Sequence, residues 1–462
     1  MKKAPLMISI SGIRGIFGES FTPDVIVKYG SAFSKYCKGR KVVIGRDGRI
    51  TGKIVGNILA STLLSMGSDV IALGIAPTPT IALAVERFGA AGGVSITASH
   101  NPLEWNGLKF INNNGMFLNK EENEILWQIA DSSDFKYVSW KNIGRHLKEE
   151  TFYKKHIEEV LSLPLIQPDL IKSRRFRVVV DCINASGSII VPQLLKEFGC
   201  EVVEINTELT GIFSHTPEPV PENLGQLCSR VREIGADFGI AVDPDADRLV
   251  FVTEKGEPLG EEYTVTIAIK TVLEKEKKKN SIIVVNLSTT RGVDIIAKYF
   301  GAKVVRTPVG EINVATKMKS SHALIGGEGS GGVIFPHLHF TRDAIVGIAL
   351  ALQQMAEFKG TLSQLKETLP QYHILKRKIQ IDPDIREIIF KKLKEHYGVY
   401  GIINEDDGLK FDFDNSWIHL RKSNTEPIIR IIAESESEKE TEKLINEFEN
   451  FIKQNIKMST DY

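Results

Sequence analysis

Short apolar segments alternate with longer segments of mixed polarity along most of this chain. Apolar runs of this length predict strands, and the longer segments between them predict helices. The predicted strands are 41–45, 69–73, 93–97, 176–181, 201–205, 238–242, 281–286, 303–306 and 323–325, and the predicted helices are 53–65, 79–88, 187–198, 224–234, 291–300 and 311–318. Because apolar strands joined by helices are typical of parallel sheets covered on both faces, the pattern predicts three similar α/β domains with parallel or mixed sheets.

The segment after residue 370 follows a different pattern. A strand and a helix at 385–397 precede closely spaced strands at 409–413, 416–420 and 428–433, and a charged helix follows at 437–453. Ser437 lies three residues before Glu440, which fits a capping box at the start of that last helix. Strands this close together indicate an antiparallel sheet and therefore a C-terminal α+β domain. We expect four domains, at 1–150, 151–256, 257–370 and 371–462.

The composition is that of an ordinary water-soluble globular protein, with 42% apolar and 25% charged residues in a chain of 462. Lys and Arg together number 58, as do Asp and Glu, so no excess charge favours nucleic acid or an anionic membrane as a partner. The four cysteines form no CxxC pair, which indicates reduced thiols. No apolar segment approaches the roughly 20 residues of a spanning helix, so we expect a cytoplasmic protein. The sequence alone leaves the oligomeric state open.

The residues that could carry chemistry follow the third predicted strand of each repeat. Ser99 lies in the loop after the first such strand, Asp243 ends the second, and Glu328 follows the third. Ligands of parallel α/β sheets bind at the carboxyl ends of the strands. The equivalent positions of these three loops predict one active site in a cleft between the domains.

Three aspartates occupy alternate positions in the loop after the second of these strands. Asp243, Asp245 and Asp247 repel one another unless a cation or Arg248 relieves their charge. The spacing also fits the start of a calcium-binding EF-hand loop, but Arg248 stands where that loop needs glycine, and the flanking segments predict strands. A plain acidic surface turn is the other alternative. Because Mg²⁺ takes few carboxylates and completes its shell with phosphate, we predict a magnesium site and, with Ser99 as nucleophile, phosphoryl transfer.

Further polar residues could complete such a site, although each alone also fits a turn or a surface position. His100 follows the candidate nucleophile, and Lys109 stands just before an apolar strand, where a lowered pKa would let it shuttle protons. Arg14 could contact an anion, and Glu328 and Ser330 suit sugar hydroxyls. A loop of the fourth domain combines an arginine, two hydroxyls and an amide, which predicts a phosphate-binding site made of Arg421, Ser423, Asn424 and Thr425.

Together and in this order, the motifs resemble those of the α-D-phosphohexomutase family of phosphoglucomutases, phosphomannomutases and phosphoglucosamine mutases. The resemblance covers essentially the whole chain through SGIRG at 11–15, TASHNP at 97–102, NGLK at 106–109, PEPVPENL at 217–224, DPDADR at 243–248, GEGSG at 327–331 and RKSNTEP at 421–427. It implies four domains around a deep cleft, an active-site phosphoserine, one Mg²⁺, a sugar phosphate substrate and a hexose 1,6-bisphosphate as activator.

The resemblance also implies a role for each matching residue. Ser99 would be the phosphoserine and would share the metal with Asp243, Asp245 and Asp247. The transferring phosphate would contact Arg14 and Arg248, and proton transfer would be assisted by Lys109 and His100. Sugar hydroxyls would be held by Glu328 and Ser330, and the phosphate that does not react by Arg421, Ser423, Asn424 and Thr425.

The implied activity is the interconversion of hexose or hexosamine 6-phosphate and 1-phosphate through a 1,6-bisphosphate. Glu311 and Gly332 stand where bacterial mannose and glucose enzymes usually have histidines, which favours glucosamine phosphate as the sugar. The sequence SNTEP, where glucosamine enzymes usually read SGTEP, leaves mannose and glucose phosphates as alternatives. A sugar phosphatase and a non-catalytic sugar-phosphate-binding protein are the remaining interpretations.

Overall fold

The structure is a computed structural model that describes residues 5–422 and 428–460. Its strands form four sheets in chain order, and each predicted domain range contains one of them. Within the described part of the chain, no helix combines the length and the apolar character needed to cross a membrane.

The first sheet has seven strands in the order β1-β2-β6-β5-β3-β4-β7. They are Met7–Ser9 (β1), Gly12–Ile16 (β2), Val42–Arg46 (β3), Val70–Ile75 (β4), Gly92–Ile96 (β5), Trp105–Asn112 (β6) and His146–Lys148 (β7). Its helices are Pro23–Tyr36 (α1), Gly52–Ser65 (α2), Thr78–Arg87 (α3) and Lys120–Ser132 (α4). Strand β3 pairs in parallel with β4 and β5, whereas β6 returns antiparallel to β5.

The second and third sheets each have four strands, in the orders β11-β10-β8-β9 and β13-β12-β14-β15. The second unit comprises Phe152–Leu161 (α5), Pro168–Arg174 (α6), Arg177–Asp181 (β8), Gly187–Glu197 (α7), Glu201–Ile205 (β9), Gly225–Ile234 (α8), Phe238–Val242 (β10) and Leu249–Thr253 (β11). The third comprises Glu261–Glu276 (α9), Ile282–Asn286 (β12), Gly292–Tyr299 (α10), Lys303–Thr307 (β13), Glu311–Ser321 (α11), Ile325–Glu328 (β14), Gly332–Ile334 (β15), Ala344–Phe358 (α12) and Leu362–Glu367 (α13).

All three α/β units share one feature that positions the site. The third predicted strand of each repeat is observed as β5, β10 and β14, and each turns back into an antiparallel strand, β5 into β6, β10 into β11 and β14 into β15. The candidate loops are the connections of these hairpins. The structure therefore places Lys109 inside strand β6 rather than before a strand, because β6 already begins at Trp105.

Helices α1, α4, α5, α6, α9, α12 and α13 were not among the predicted elements; in α12 the first nine residues are apolar around the whole circumference, so they show no amphipathic period. Every residue from Ala344 to Ala356 is buried. The helix belongs to one apolar core that extends through the first three sheets and includes Val43, Val178 and Ile283. The first three units therefore form one continuous packed body.

The C-terminal unit has a five-stranded antiparallel sheet in the order β16-β20-β19-β18-β17, as the sequence predicts. Its elements are His373–Gln380 (β16), Pro383–Tyr397 (α14), Ile402–Asn404 (β17), Leu409–Asp412 (β18), Ser416–Lys422 (β19), Ile428–Ser435 (β20) and Glu438–Thr460 (α15). Ser437 accepts a hydrogen bond from the amide of Glu440 at 3.3 Å, so the predicted cap at the start of α15 is present. This unit has its own core, which includes Phe411, Ile431 and Phe448.

Candidate active site

Ser99 lies in the connection between β5 and β6, in a backbone conformation that few residues adopt. Its φ is 51°, in the left-handed region that is unfavourable for a residue with a side chain. The amide of Ser99 donates a hydrogen bond to Thr97 Oγ1 at 2.8 Å, and the residue is 3% exposed. The loop thus holds one buried hydroxyl in a fixed and strained position.

Arg49, which lies just beyond the carboxyl end of β3, holds this loop in place through hydrogen bonds to its main-chain carbonyl groups. Its guanidinium is fully buried and donates to Asp47 Oδ2 at 2.9 Å. It also donates to the carbonyl oxygens of Ser99, Asn101, Pro102 and Trp105 at distances from 2.5 to 3.1 Å. Arg49 was not among the predicted site residues, although its place near the carboxyl end of a parallel strand was an available signal.

We expect Arg49→Met to destabilise the protein strongly. The change leaves the Asp47 carboxylate buried without its cationic partner and takes the guanidinium donor from four main-chain carbonyl groups, which costs about 3–5 kcal/mol of unfolding free energy. Urea unfolding measures this, and Arg145→Met provides the control. The Arg145 side chain is 82% exposed in its pair with Asp69, so its loss should cost at most about 1 kcal/mol. Equal stability of the two variants would contradict the role of Arg49.

The three aspartates lie in the connection between β10 and β11 and are fully buried. One carboxylate oxygen from each lies within 4.8 Å of the others. Asp243 Oδ2 lies 3.3 Å from Ser99 Oγ, and Arg248 Nη2 lies 3.4 Å from the same hydroxyl. The structure therefore brings the predicted nucleophile of the first unit against the predicted metal loop of the second.

Three cations compensate the buried carboxylates from three directions. Lys109 Nζ lies 2.6 Å from Asp245 Oδ2, Arg248 Nε lies 3.1 Å from Asp243 Oδ2, and Arg342 Nη2 lies 2.7 Å from Asp247 Oδ2. Burial, followed by the charges of Asp247 and Asp245, raises the pKa of Asp243 to about 8. Burial also opposes ionisation of Asp247, but Arg342, Lys109 and Arg248 outweigh it and lower that pKa.

The aspartate loop fits a divalent cation by a structural test. Asp245 Oδ1 and Asp247 Oδ1 are both buried, and neither has a hydrogen-bond partner among the described residues. Buried carboxylate oxygens are rarely left unpaired, and hard cations such as Mg²⁺ bind such oxygens. Asp243, Asp245 and Asp247 thus offer oxygen atoms that could bind a cation next to Ser99 Oγ.

The predicted proton shuttle Lys109 has the opposite pKa shift from the one expected. Burial alone would lower the pKa of this amine, but the charges of Asp245 and Asp247 outweigh burial and raise it. The expectation of a lowered pKa was wrong because the sequence does not reveal that two carboxylates contact Lys109. Lys109 is therefore a cation that can donate a proton.

His100 and Arg14 lie beside the nucleophile. The guanidinium of Arg248 donates to His100 Nδ1, so the imidazole is an acceptor at this atom. Burial, with the nearby charges of Arg248 and Arg14, lowers the pKa of His100 to about 2, so the ring is neutral. Arg14, on β2, donates to Asn101 Oδ1 in the serine loop at 3.2 Å.

The third hairpin contributes Glu328, the last residue of β14. Its carboxylate is buried and accepts from Asn286 Nδ2 at 2.8 Å, from the amide of Gly310 at 3.0 Å and from Arg342 Nη1 at 2.7 Å. Ser330 lies partly exposed in the turn that follows. The main chain of this turn meets the metal loop, since the amide of Leu249 donates to the carbonyl of Gly331 at 3.0 Å.

Models of the phosphoglucomutase/phosphomannomutase family match this chain in four consecutive parts. The alpha/beta/alpha domains I, II and III match residues 7–137, 152–256 and 260–372, and the C-terminal domain matches 378–451. The chain belongs to the phosphoglucomutase/phosphomannomutase family.

Named relatives match this chain over nearly its whole length. A phosphoglucomutase/phosphomannomutase from Thermococcus kodakarensis is 41% identical over 442 residues, which cover 94% of this chain and 95% of that protein. A probable phosphoglucosamine mutase from Methanopyrus kandleri is 35% identical over 448 residues, 96% of this chain and 97% of that protein. A crystal structure of a phosphoglucomutase/phosphomannomutase family protein from Burkholderia thailandensis matches with a TM-score of 0.84 and 25% identity, over 97% of this chain and 98% of that one.

These matches confirm the family that the sequence motifs indicate. They also confirm the predicted fold class, three α/β units and a C-terminal α+β unit, and the prediction of an enzyme of the isomerase type. As a member of the family, the chain is a phosphohexomutase.

In this family member the C-terminal unit reaches the segment before α11 through Asp407, which Arg421 also contacts. Arg421 Nε donates to Asp407 Oδ2 at 2.7 Å, and the same carboxylate oxygen accepts from the amide of Val309 at 2.9 Å. Val309 precedes α11, whose first residue, Glu311, contacts Arg342. The remaining predicted phosphate-binding residues lie outside the described residues: Ser423, Asn424 and Thr425.

We expect Glu262→Gln to stabilise the protein more at pH 8 than at pH 5. Glu262, in α9, accepts from the amide of Thr290 at 2.9 Å, and burial raises its pKa from 4.5 to about 8. Between these values the folded chain holds a proton that the unfolded chain has released, so stability falls as the pH rises through this window. Gln removes this loss, worth about 2 kcal/mol at pH 8 after allowance for partial solvent contact, and almost nothing at pH 5.

Chemical denaturation of the parent and of Glu262→Gln at both pH values measures this difference. Glu233→Gln, at a side chain that is 60% exposed, serves as the control. A stability difference between Glu262→Gln and the parent that is the same at pH 5 and pH 8 would contradict the prediction.

Proposed function

We propose that this enzyme interconverts the 6-phosphate and 1-phosphate of a hexose or hexosamine through a phosphoserine at Ser99. The observation that carries the proposal is the position of Ser99 Oγ, 3.3 Å from Asp243 Oδ2 and 3.4 Å from Arg248 Nη2. A hydroxyl beside a set of oxygen ligands and a guanidinium is the arrangement that phosphoryl transfer requires, because this reaction depends on positioning and on charge compensation.

The chain's own residues divide the work of the transfer. Asp243, Asp245 and Asp247, together with the phosphoserine, would hold Mg²⁺, which when bound compensates the negative charge of the phosphoryl oxygens. Arg248, which contacts Ser99 Oγ, would bind the same phosphoryl group. Arg14, which contacts Asn101 in the loop that carries Ser99, would bind it as well. Positioning by these side chains supplies much of the rate increase.

Lys109 would be the proton donor in this transfer. Lys109 is cationic between Asp245 and Asp247, and His100 is neutral with its Nδ1 occupied by Arg248. When the phosphoryl group leaves Ser99, the P–Oγ bond breaks, a bond from phosphorus to the sugar oxygen forms, and Oγ gains a proton as the sugar hydroxyl loses one. No net proton is consumed in either half of the reaction.

The two ends of the substrate would be held by different units. Glu328 and Ser330 would bind sugar hydroxyls, and Arg421 with Ser423, Asn424 and Thr425 would bind the phosphate that is not transferred. After the first transfer, the 1,6-bisphosphate reverses its orientation between these two sites, and Ser99 takes back the other phosphate. A bisphosphate that escapes leaves Ser99 unphosphorylated, which is why a hexose 1,6-bisphosphate would act as activator.

Glucosamine phosphate is the first candidate for the sugar, because Glu311 and Gly332 stand where bacterial mannose and glucose enzymes usually have histidines. Glucose and mannose phosphates are the second candidate, supported by the 41% identity to the Thermococcus kodakarensis phosphoglucomutase/phosphomannomutase. The probable phosphoglucosamine mutase from Methanopyrus kandleri, at 35% identity, supports the first.

A mutase assay with Mg²⁺ and a trace of hexose 1,6-bisphosphate tests the proposal and the sugar together. Glucosamine 6-phosphate, mannose 1-phosphate and glucose 1-phosphate are compared by kcat/KM. The sugar with the dominant value is the substrate, and a mannose or glucose value above that for glucosamine overturns the first candidate. Release of inorganic phosphate without isomerisation would indicate a phosphatase, and no reaction with any sugar would overturn the proposed activity for these substrates.

A further inference from the structure

We propose that Arg342 is a positioning residue that couples the metal loop, which connects β10 to β11, to the residues predicted to face the sugar, Glu328 and Ser330 after β14 and Glu311 at the start of α11, together called the sugar loop. It holds Glu328 and Glu311 in place for the sugar, and it partly neutralises Asp247 as an internal cation that opposes the binding of Mg²⁺. The effect on the sugar rests on the proposed function, whereas the effect on the cation does not.

The contacts of Arg342 join three carboxylates that come from different segments of the chain. Nη2 lies 2.7 Å from Asp247 Oδ2, Nη1 lies 2.7 Å from Glu328 Oε2, and Nε lies 3.1 Å from Glu311 Oε2. The main-chain amide of Arg342 donates to Glu311 Oε1 at 2.8 Å. Among the described residues these contacts use three of the five N–H groups of the guanidinium, and the side chain remains 14% exposed.

Gly332 makes this position of Arg342 possible. A Cβ atom at residue 332 would lie only 2.2 Å from Cδ of Arg342 and 2.9 Å from its Cγ, much closer than van der Waals contact allows. Any side chain at this position therefore forces the guanidinium out of its place between the three carboxylates. The position of Arg342 therefore depends on glycine at residue 332.

The neighbouring Asp343 anchors the main chain that carries Arg342. Asp343 Oδ2 accepts from His156 Nε2 at 2.9 Å and from His339 Nε2 at 3.0 Å, and Oδ1 accepts from the amide of Ile345 at 2.7 Å. His339 Nδ1 accepts from the amide of Thr341, so its Nε2 carries the proton and donates to Asp343 instead of offering a lone pair to a metal. This buried cluster is a structural anchor that fixes where the Arg342 side chain begins.

The position of the Arg342 charge explains why this residue should oppose the binding of Mg²⁺. Asp247 Oδ2 faces Arg342, while Oδ1, which lies 3.8 Å from Arg248 Nε, has no hydrogen-bond partner among the described residues and fits a divalent cation. A guanidinium on one oxygen of a carboxylate lowers the negative potential at the other. Removal of the Arg342 charge should therefore strengthen cation binding, although it weakens sugar binding by releasing Glu328 and Glu311.

The experiment compares Arg342→Met with Arg342→Lys in the full chain. Calorimetric titration with MgCl₂ without sugar should show a Kd that is roughly five- to tenfold lower for Arg342→Met and within about twofold of the parent for Arg342→Lys, because Lys keeps the charge. The KM for the sugar phosphate that the parent prefers should rise about tenfold in both variants, with kcat changed less, because Lys cannot contact three carboxylates in one plane.

Gly332→Ala and Arg87→Met complete the design. Gly332→Ala should raise KM in the same way without removing a charge. Arg87 pairs with Glu159 and contacts the carbonyl of Leu338 in the same segment, so Arg87→Met tests mere loosening of that segment and should change neither Mg²⁺ affinity nor KM. Melting temperatures verify that each variant is folded.

Unchanged or weaker Mg²⁺ binding in Arg342→Met overturns the role of Arg342 as an internal cation. A parental KM in both Arg342 variants overturns its role in positioning the sugar loop. If the parent isomerises no sugar phosphate, the proposed function fails on its own, and the Mg²⁺ titrations still decide the effect on the metal loop.

Discussion

Ser99→Ala should lower mutase turnover by about 10⁴-fold or more, since loss of a covalent nucleophile removes the whole two-step route. Ser99 Oγ is the hydroxyl that the fold brings to both Asp243 and Arg248. The variant should also fail to take up a labelled phosphoryl group from hexose 1,6-bisphosphate, which the parent should accept. Turnover and label incorporation are measured on the same preparations.

The variant should still bind Mg²⁺ without sugar, because the three aspartates are intact and only the ligand from Ser99 is lost. Ser34→Ala is the matched control: it removes another fully buried hydroxyl of the same domain, one that pairs only with Ser68 Oγ at 2.7 Å among the described residues. Label incorporation by Ser99→Ala, or turnover near that of Ser34→Ala, would refute the phosphoserine.

The second large effect is expected from Asp243→Asn. This change should weaken Mg²⁺ binding by at least about 100-fold and lower turnover by about a thousandfold, because a metal ligand is lost beside the nucleophile. The metal-free variant should nevertheless melt at nearly the same temperature as the parent, since the removal of one of three buried carboxylates that repel one another offsets the loss of the hydrogen bond from Arg248 Nε. Calorimetry, turnover and thermal unfolding without metal measure these three quantities.

The combination of unchanged stability and lost metal binding separates a ligand from a structural residue. Asp294→Asn is the control, because Asp294 pairs with Arg306 in the third unit and its side chain is 43% exposed. Mg²⁺ affinity in Asp243→Asn equal to that of Asp294→Asn would show that Asp243 is not a metal ligand.

Much of the fold follows from the apolar pattern. The strand predicted at 238–242 is observed as Phe238–Val242, and that predicted at 201–205 as Glu201–Ile205, because short apolar runs between polar loops leave few alternative registers. The strand predicted at 323–325 begins later, at Ile325, and extends to Glu328. Helix α12 could not be predicted from the spacing of apolar and polar residues, because a helix that is buried on every side has no polar face.

The residues of the site also fall into two groups, those that the sequence identifies and those that it does not. Ser99 and the aspartate loop are identifiable because they follow strands whose carboxyl ends meet at one edge, and their chemistry is local to each loop. Arg49 and Arg342 are not, because each acts through partners supplied by the fold. The Arg49 guanidinium contacts a loop 50 residues further on, and Arg342 contacts an aspartate 95 residues earlier.

By itself, the sequence determined the repeated α/β pattern, the different C-terminal domain, the family and the loops that carry the hydroxyl and the carboxylates. These properties depend on residue type and on separation along the chain. Only the tertiary structure decided the electrostatic state of the site: that Lys109 is held as a cation, that His100 is neutral, and that Arg342 joins the metal loop to the sugar loop. Charge and pKa depend on burial and on distances of a few ångströms between residues that are far apart in sequence, and these are set only when the domains pack together.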